Sequence, residues 1–224
     1  MLQVLYEDNH LLFVAKPAGV ATMGLAEGEE TLFTRAKDFL KRKYDKPGNV
    51  YLGVVSRLDV PVSGVVLFAK TSKAAARLNE QFRDHTAEKI YQAVIEGQMS
   101  PAEGTLADRI CEDERHRKVW ITQTEQGKES RLHYRTIKRM ENRSLGGHSL
   151  VEIHLETGRK HQIRVQFGSR DHPILGDRKY GSRTDFSEGI ALHARQLTIR
   201  HPISHEPVTV TAPLPKSWEA FQPE

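Results

Sequence analysis

One stretch constrains this chain more than any other: Val54-Val55-Ser56-Arg57-Leu58-Asp59-Val60-Pro61-Val62-Ser63-Gly64-Val65-Val66-Leu67-Phe68. Two apolar runs rich in β-branched residues bound a short polar island that holds one arginine and one carboxylate. Short apolar runs bounded by turn residues predict buried strands. Pro61 and Gly64 interrupt the pattern, so residues 57–63 are predicted as a loop or strand end opening onto a surface. An ionised carboxylate among valines is costly unless something pairs it. Read alone, Asp59 fits either a turn cap before Pro61 or a catalytic carboxylate whose cationic partner comes from elsewhere.

Around this stretch the pattern is that of a strand-rich domain. Residues 3–6 and 11–15 read as two strands joined by a turn, and Lys16-Pro17-Ala18-Gly19 ends the second. Residues 24–30 read as a flexible loop. Thr31 is the expected cap of a helix whose apolar face is Leu32, Phe33, Ala36, Phe39, Leu40 and Tyr44, with Lys37, Lys41 and Arg42 opposite. Lys46-Pro47-Gly48 stops it. Ser72 is the expected cap of a second helix carrying Ala75, Leu78 and Phe82 and running to about Asp84. Residues 89–96 alternate as a strand, while residues 108–117 are charged and aperiodic and read as an exposed excursion. Strands are predicted at 119–122, 130–137, 150–155, 191–199 and 207–212. A helix-like segment is expected over 159–167, and a short terminal helix around Trp218 and Phe221. Strands outnumber helices without a regular βαβ rhythm, which predicts an α+β fold on a mixed, largely antiparallel sheet.

Length and composition narrow the function classes. The 224 residues suit a single domain, and 38% hydrophobic with 28% charged residues is ordinary for a soluble protein. No run approaches the roughly 18 apolar residues of a membrane span, and the start lacks the basic and apolar regions of a signal peptide. The single Cys111 rules out an internal disulfide and fits a reducing, cytoplasmic setting. Net charge is +4, from 33 basic and 29 acidic residues. The basic residues fall in groups: Lys37, Lys41, Arg42 and Lys43; Arg109, Arg115, Arg117 and Lys118; Lys128 and Arg131; Arg178, Lys179 and Arg183. Such groups can supply salt-sensitive affinity for phosphates.

Two further features carry chemistry. Lys89-Ile90-Tyr91-Gln92-Ala93 places a tyrosine in an otherwise ordinary strand, where core packing alone would also explain it. Thr157-Gly158-Arg159-Lys160-His161-Gln162-Ile163-Arg164 packs an unusual density of polar side chains into a turn and helix start, where positive charge opposes the helix dipole.

Together these residues carry a resemblance. Arg57-Leu58-Asp59 with Ser63-Gly64, Lys89-x-Tyr91-x-Ala93, and Thr157-Gly158-Arg159-x-His161-Gln162-Ile163-Arg164 resemble the three main motifs of the RluA family of RNA pseudouridine synthases. Lys16-Pro17-Ala18-Gly19, His172-Pro173-Ile174-Leu175-Gly176-Asp177, Tyr180-Gly181, Leu192-His193-Ala194 and His201-Pro202 agree with it. The resemblance runs in order from about Leu5 to Pro215. It implies one pseudouridine-synthase-like catalytic domain over residues 1–224, with flanking helices and a central basic cleft, and no N-terminal S4 domain. Three positions depart from the family pattern: Ser56 stands where His is usual, Val62 where Thr is usual, and Gln166 where a His is common.

The resemblance implies isomerisation of uridines to pseudouridine in structured tRNA or rRNA by a cytoplasmic enzyme without metal or organic cofactor. Asp59 would be the nucleophile. Arg57 would fill the gap left by a flipped-out base, and Tyr91 would stack on the uracil or help move a proton. Arg164 would pair with Asp59, and Ile163 would form an apolar wall against the base. Arg159, His161 and Gln162, in the same motif, would contact the substrate. The expected state is a monomer, since nothing resembles a dimerisation helix.

A non-catalytic RNA-binding module on the same scaffold is the alternative reading. It would keep the basic surface and be indifferent to Asp59→Asn. A glycoside hydrolase would need a second carboxylate; Glu156 is the nearest candidate and reads as a surface residue. A metal site is disfavoured too, because prolines break the helix that His201 and His205 would need to ligate together.

Overall fold

The computed structural model describes residues 2–24, 29–45, 47–116, 118–141 and 147–221. Residues 25–28 of the expected loop, Lys46 of the helix stop and Arg117 of the basic group lie outside them. In chain order the strands and helices are β1 (Gln3–Glu7), β2 (Leu11–Lys16), α1 (Leu32–Lys43), β3 (Gly53–Val54), β4 (Ser63–Ala69), α2 (Ser72–Arg83), β5 (Glu88–Glu96) and β6 (Glu103–Asp113). They continue with β7 (Lys118–Thr122), β8 (Lys128–Met140), β9 (His148–Leu155), α3 (Gln162–Gly168), β10 (Leu192–Arg200) and β11 (Pro207–Thr211). Short 3-10 turns cover Arg178–Tyr180 and Lys216–Phe221. The fold is α+β on a mixed, mostly antiparallel sheet, as the strand-rich pattern predicts.

The chain divides into two compact units, Met1–Glu88 with Ala194–Pro213, and Lys89–His193 with Leu214–Glu224. In the first unit the strand order is β1-β2-β4-β10, with β3 beside β4 and β11 beside β10. Every residue of β4 is buried, which is why its sequence is continuously apolar rather than alternating. Val66 and Phe68 of β4 pack with Leu12 and Val14 of β2, and α1 covers them with Leu32, Ala36 and Leu40. Burial of each Val, Leu or Phe side chain among these contributes about 1.5–3 kcal/mol. Helix α1 starts as expected: Thr31 Oγ1 accepts from Thr34 N, and Thr34 returns the favour to the Thr31 N–H. Helix α2 starts one residue earlier than expected, because Thr71, not Ser72, caps the Ala74 N–H. Gly64, at φ +125°, has no room for a side chain: a Cβ there would lie 2.3 Å from the Ala194 carbonyl oxygen.

Glu7, at the end of β1, gathers three donors. Lys43 donates to one carboxylate oxygen at 2.6 Å, and Lys70 and Tyr44 to the other at 2.7 and 2.6 Å. Burial pushes this carboxyl up, but the three hydrogen bonds prevail and hold it at about 2. The unfolded chain therefore takes up a proton before the folded one as pH drops. Stability from Glu7 is full above its unfolded value near 4.5 and is lost as pH falls towards about 2. We expect that loss to reach at most about 2 kcal/mol, since Lys43 is solvent-screened. Urea titrations between pH 5 and 2.5 should show a shallower acid slope for Glu7→Gln than for the native chain.

In the second unit the strand order is β5-β9-β8-β6-β7. Strand β6 corrects the expected excursion over 108–117. Residues 103–110 pair antiparallel with 128–135 of β8, and 109–113 with 118–122 of β7. Its charges hid it: Leu106 and Ile110 face the core, while intervening polar residues obscure the alternation. Helix α3 packs Val165 on Ile110 and Val119, and Phe167 meets the Tyr134 ring edge-on at 5.8 Å. The helix begins later than the expected residue 159, because His161 adopts φ +54° and breaks the helical run. Gly168 lets the turn at Tyr180 approach; a Cβ there would lie 2.7 Å from the Tyr180 oxygen.

Candidate active site

The loop between β3 and β4 carries Arg57 and Asp59, and its backbone is pinned on both sides of the carboxylate. Before Asp59, Thr22 Oγ1 donates to the Leu58 carbonyl at 3.0 Å and accepts the Leu58 N–H at 3.2 Å. After Asp59, the Val60 carbonyl accepts from the Gly19 N–H at 2.8 Å and from Lys16 Nζ at 3.1 Å. The Val62 N–H closes a turn onto the Asp59 carbonyl at 3.1 Å. Asp59 itself is half-buried, and Arg57 is exposed. Apart from the Val62 N–H, these pinning groups come from the segment that begins Lys16-Pro17-Ala18-Gly19, a feature the sequence marked only as an accompanying motif.

Lys16 is the unexpected member. It is 1% exposed, and its ammonium donates to the carbonyls of Pro17, Val20 and Val60 at 3.0, 2.7 and 3.1 Å. Burial pushes it down to about 8, against the opposing pull of the Asp59 carboxylate. Between pH 8 and its unfolded value of 10.5, the unfolded chain holds a proton that the folded chain has released. Stability from this group therefore rises with pH across that window, by about 1.4 kcal/mol per unit at the steepest. Lys16→Met would take the ammonium donor from the Pro17, Val20 and Val60 carbonyls and is expected to destabilise by about 1–3 kcal/mol at pH 7. It should also erase the alkaline rise; denaturant titrations at pH 7, 8.5 and 10 read both effects.

The second unit holds the other predicted residues. Tyr91 lies on β5 opposite Ile153 of β9 and is half-buried. Arg164, 6% exposed, meets Asp177, 2% exposed, in a two-pronged ion pair: Nε to Oδ2 at 2.7 Å and Nη2 to Oδ1 at 2.9 Å. Its guanidinium carbon stands 5.1 Å from the Tyr180 ring centre. The Tyr180 hydroxyl in turn meets His161 Nδ1 at 2.7 Å. Arg164 is thus gripped by a carboxylate and an aromatic face, both supplied by the segment after Gly176.

The family model for RNA pseudouridylate synthases matches residues 10–169. The chain belongs to the RluA family of RNA pseudouridine synthases. It is 35% identical over 218 residues to the Bacillus subtilis protein named uncharacterized RNA pseudouridine synthase YhcT, covering 96% of this chain and 69% of that one. It is 34% identical to ribosomal large subunit pseudouridine synthase D of Zymomonas mobilis, over 97% of this chain and 71% of that one. With the dual-specificity RNA pseudouridine synthase RluA of Vibrio parahaemolyticus it shares 33% identity, over 90% and 79%. Human RNA pseudouridylate synthase domain containing 4 has the same fold, with a TM-score of 0.79 at 23% identity, covering 96% of this chain and 91% of that one.

This pseudouridine synthase, an isomerase acting on RNA, absorbs its three departures from the family pattern in different ways. Ser56 Oγ accepts the Leu67 N–H at 2.8 Å, tying the loop to β4. Val62 is 3% exposed and packs in the core. Gln166, fully buried, donates to Asp108 Oδ2 at 2.7 Å and to the Leu106 carbonyl at 3.2 Å. Asp108 also holds Arg170 at 3.0 Å, so Gln166 fastens α3 to β6.

Among the residues expected to contact substrate, Gln162 is turned inward and 3% exposed. Its Oε1 accepts from Thr157 Oγ1 and the Arg159 N–H at 2.8 and 3.0 Å, and its Nε2 donates to the Arg131 carbonyl at 3.1 Å. It shapes the turn that presents Arg159. Ile163 is 4% exposed, Arg159 is half-buried with Nε on the Glu129 carbonyl at 3.0 Å, and His161 is half-buried against Tyr180. Glu156 is exposed, as expected, and engaged by His133 and Arg131. Among the described residues no group of three His, Cys, Asp or Glu side chains could hold a metal ion, and no helix is long and apolar enough to cross a membrane. Sequence reasoning missed Thr22 and Asp177. Asp177 had a signal, in the His172-to-Asp177 motif; Thr22 had none.

Proposed function

We propose that the chain converts particular uridines of structured tRNA or rRNA to pseudouridine with Asp59 as nucleophile. The pinned loop carries this reading: both peptide neighbours of Asp59 are held by Lys16, Gly19 and Thr22, which is how a protein keeps one carboxylate in reacting geometry. The uracil N1–C1′ bond breaks, the base turns, a C5–C1′ bond forms, the hydrogen at C5 leaves as a proton, and the freed N1 takes up a proton, so that product and substrate are isomers. A carboxylate is a competent nucleophile for such a sugar centre. Reaching the uridine requires taking it out of the stack, at about a few kcal/mol, which insertion of Arg57 partly restores.

In this reading Arg164 supports the Asp59 carboxylate, Tyr91 stacks on the uracil or relays its proton, and Ile163 walls the base. Arg159 and His161 contact the RNA, while Gln162 holds the turn beneath them. The two units act as one catalytic domain, as a cytoplasmic monomer, without metal or organic cofactor. The relative named for the large ribosomal subunit supports rRNA as a substrate to try, and the one named for dual specificity supports trying more than one class of RNA, tRNA beside it. Incubation with unmodified tRNA and rRNA fragments tritiated at uridine C5, without added metal or nucleotide, tests this directly. Tritium release and a mapped pseudouridine are expected. Tight, salt-sensitive binding with no release from any RNA would favour the binding-module reading instead.

A further inference from the structure

Arg57 borders a hollow in the first unit of about 480 Å³, lined otherwise by Met23, Phe33, Leu52, Val54 and Val55. Nothing in the chemistry above uses it. Its floor is firm: Leu52 is 7% exposed, and the Phe33 ring meets Phe68 of the core edge-on at 6.1 Å. Its rim is apolar and open, with Met23 at 43% exposure. One cation lines it and a second stands near its Phe33 wall. Arg57 is one; Lys37, held by Asn49 Oδ1 at 2.9 Å, stands 5.7 Å from the Phe33 ring centre. An apolar hollow edged by cations suits a flat base whose phosphates lie outside. An aliphatic side chain of a protein partner would have no use for the cations.

Distance decides which base. Arg57 and Asp59 are two residues apart, and consecutive Cα atoms are about 3.8 Å apart, so RNA with its uridine at Asp59 has that uridine's neighbour at Arg57. Resting on the reading of Asp59 as nucleophile, we infer that this hollow takes the unstacked base of a nucleotide adjacent to the target uridine. The enzyme would then read local RNA shape through two extruded bases, a target and a neighbour, and favour sites where the neighbour unstacks cheaply.

The test uses the full chain with Asp59→Asn, so that RNA binds without turnover. The probe is the RNA that releases tritium in the assay above, with 2-aminopurine placed in turn at each nucleotide flanking the target. One flanking position is expected to change fluorescence on binding, and Met23→Glu to suppress that change. An abasic nucleotide there should weaken binding about tenfold, but less than twofold once Met23→Glu is present. Met23→Ala should lie between. Ile203→Glu, at an apolar residue 42% exposed on the β10–β11 turn, controls for the added charge and should leave binding unchanged. If neither flanking base responds, or the abasic change weakens both proteins equally, the inference is overturned and a protein occupant of the hollow becomes the surviving reading. The two readings fail separately: turnover by the Asp59→Asn protein strikes the nucleophile, and silent flanking bases with wild-type turnover intact strike the hollow.

Discussion

Asp59→Asn is expected to lower tritium release from C5-labelled RNA at least about a thousandfold, the scale on which removal of a nucleophile acts. The substitution keeps the shape and one acceptor oxygen but removes the attacking carboxylate. Asp59 is half-buried, and the loop is pinned through its neighbours' backbone. Unfolding stability should therefore change by less than about 1 kcal/mol. RNA affinity should persist with its salt dependence, because basic side chains elsewhere supply it. Single-turnover assays with excess enzyme separate the two quantities. A variant that still forms pseudouridine would remove Asp59 from the mechanism outright.

The second large effect is on Asp177→Asn. The Arg164–Asp177 pair is almost fully buried, with both oxygens engaged. Neutralising Asp177 takes a negative charge from beside a guanidinium buried in a medium that solvates it poorly, at about 3–5 kcal/mol. For a chain of this size that is a drop of roughly 10 °C in melting temperature. Activity should fall as well, since Arg164 loses the grip that aims it. Stability and catalysis part in the double variant Asp177→Asn/Arg164→Met. Removing the buried cation as well should recover part of the lost stability, as coupled neighbours do, while activity stays lost. Thermal unfolding followed by circular dichroism, alongside the tritium assay, reads both. A double variant no more stable than Asp177→Asn alone would show that the pair is not the source of the loss.

Much of the fold was legible because local periodicity reports local burial. The fully buried β4 reads as a continuous apolar run, α1 as a striped helix behind a threonine cap. Strand β6 was not legible: its charges sit among Leu106 and Ile110, and its place is set by pairing with β7 and β8 rather than by its own pattern. The start of α3 was misplaced for a similar reason. His161 in the left-handed region and the Gln162 amide reaching back to Thr157 and Arg159 delay the helix, and neither leaves a mark in residue spacing.

Residue order alone carried the strand-rich class, the family and the candidate site residues, because motifs name chemistry and apolar patterns name burial. What holds those residues is visible only in the folded chain. Thr22 clasps Leu58 from 36 residues away and Lys16 reaches Val60 across 44, through backbone carbonyls that any residue could offer. Asp177 grips Arg164 only because the chain returns past α3. Support of this kind joins a side chain to a distant main chain or to a charge brought near by folding, and such partners become neighbours only once the core has closed.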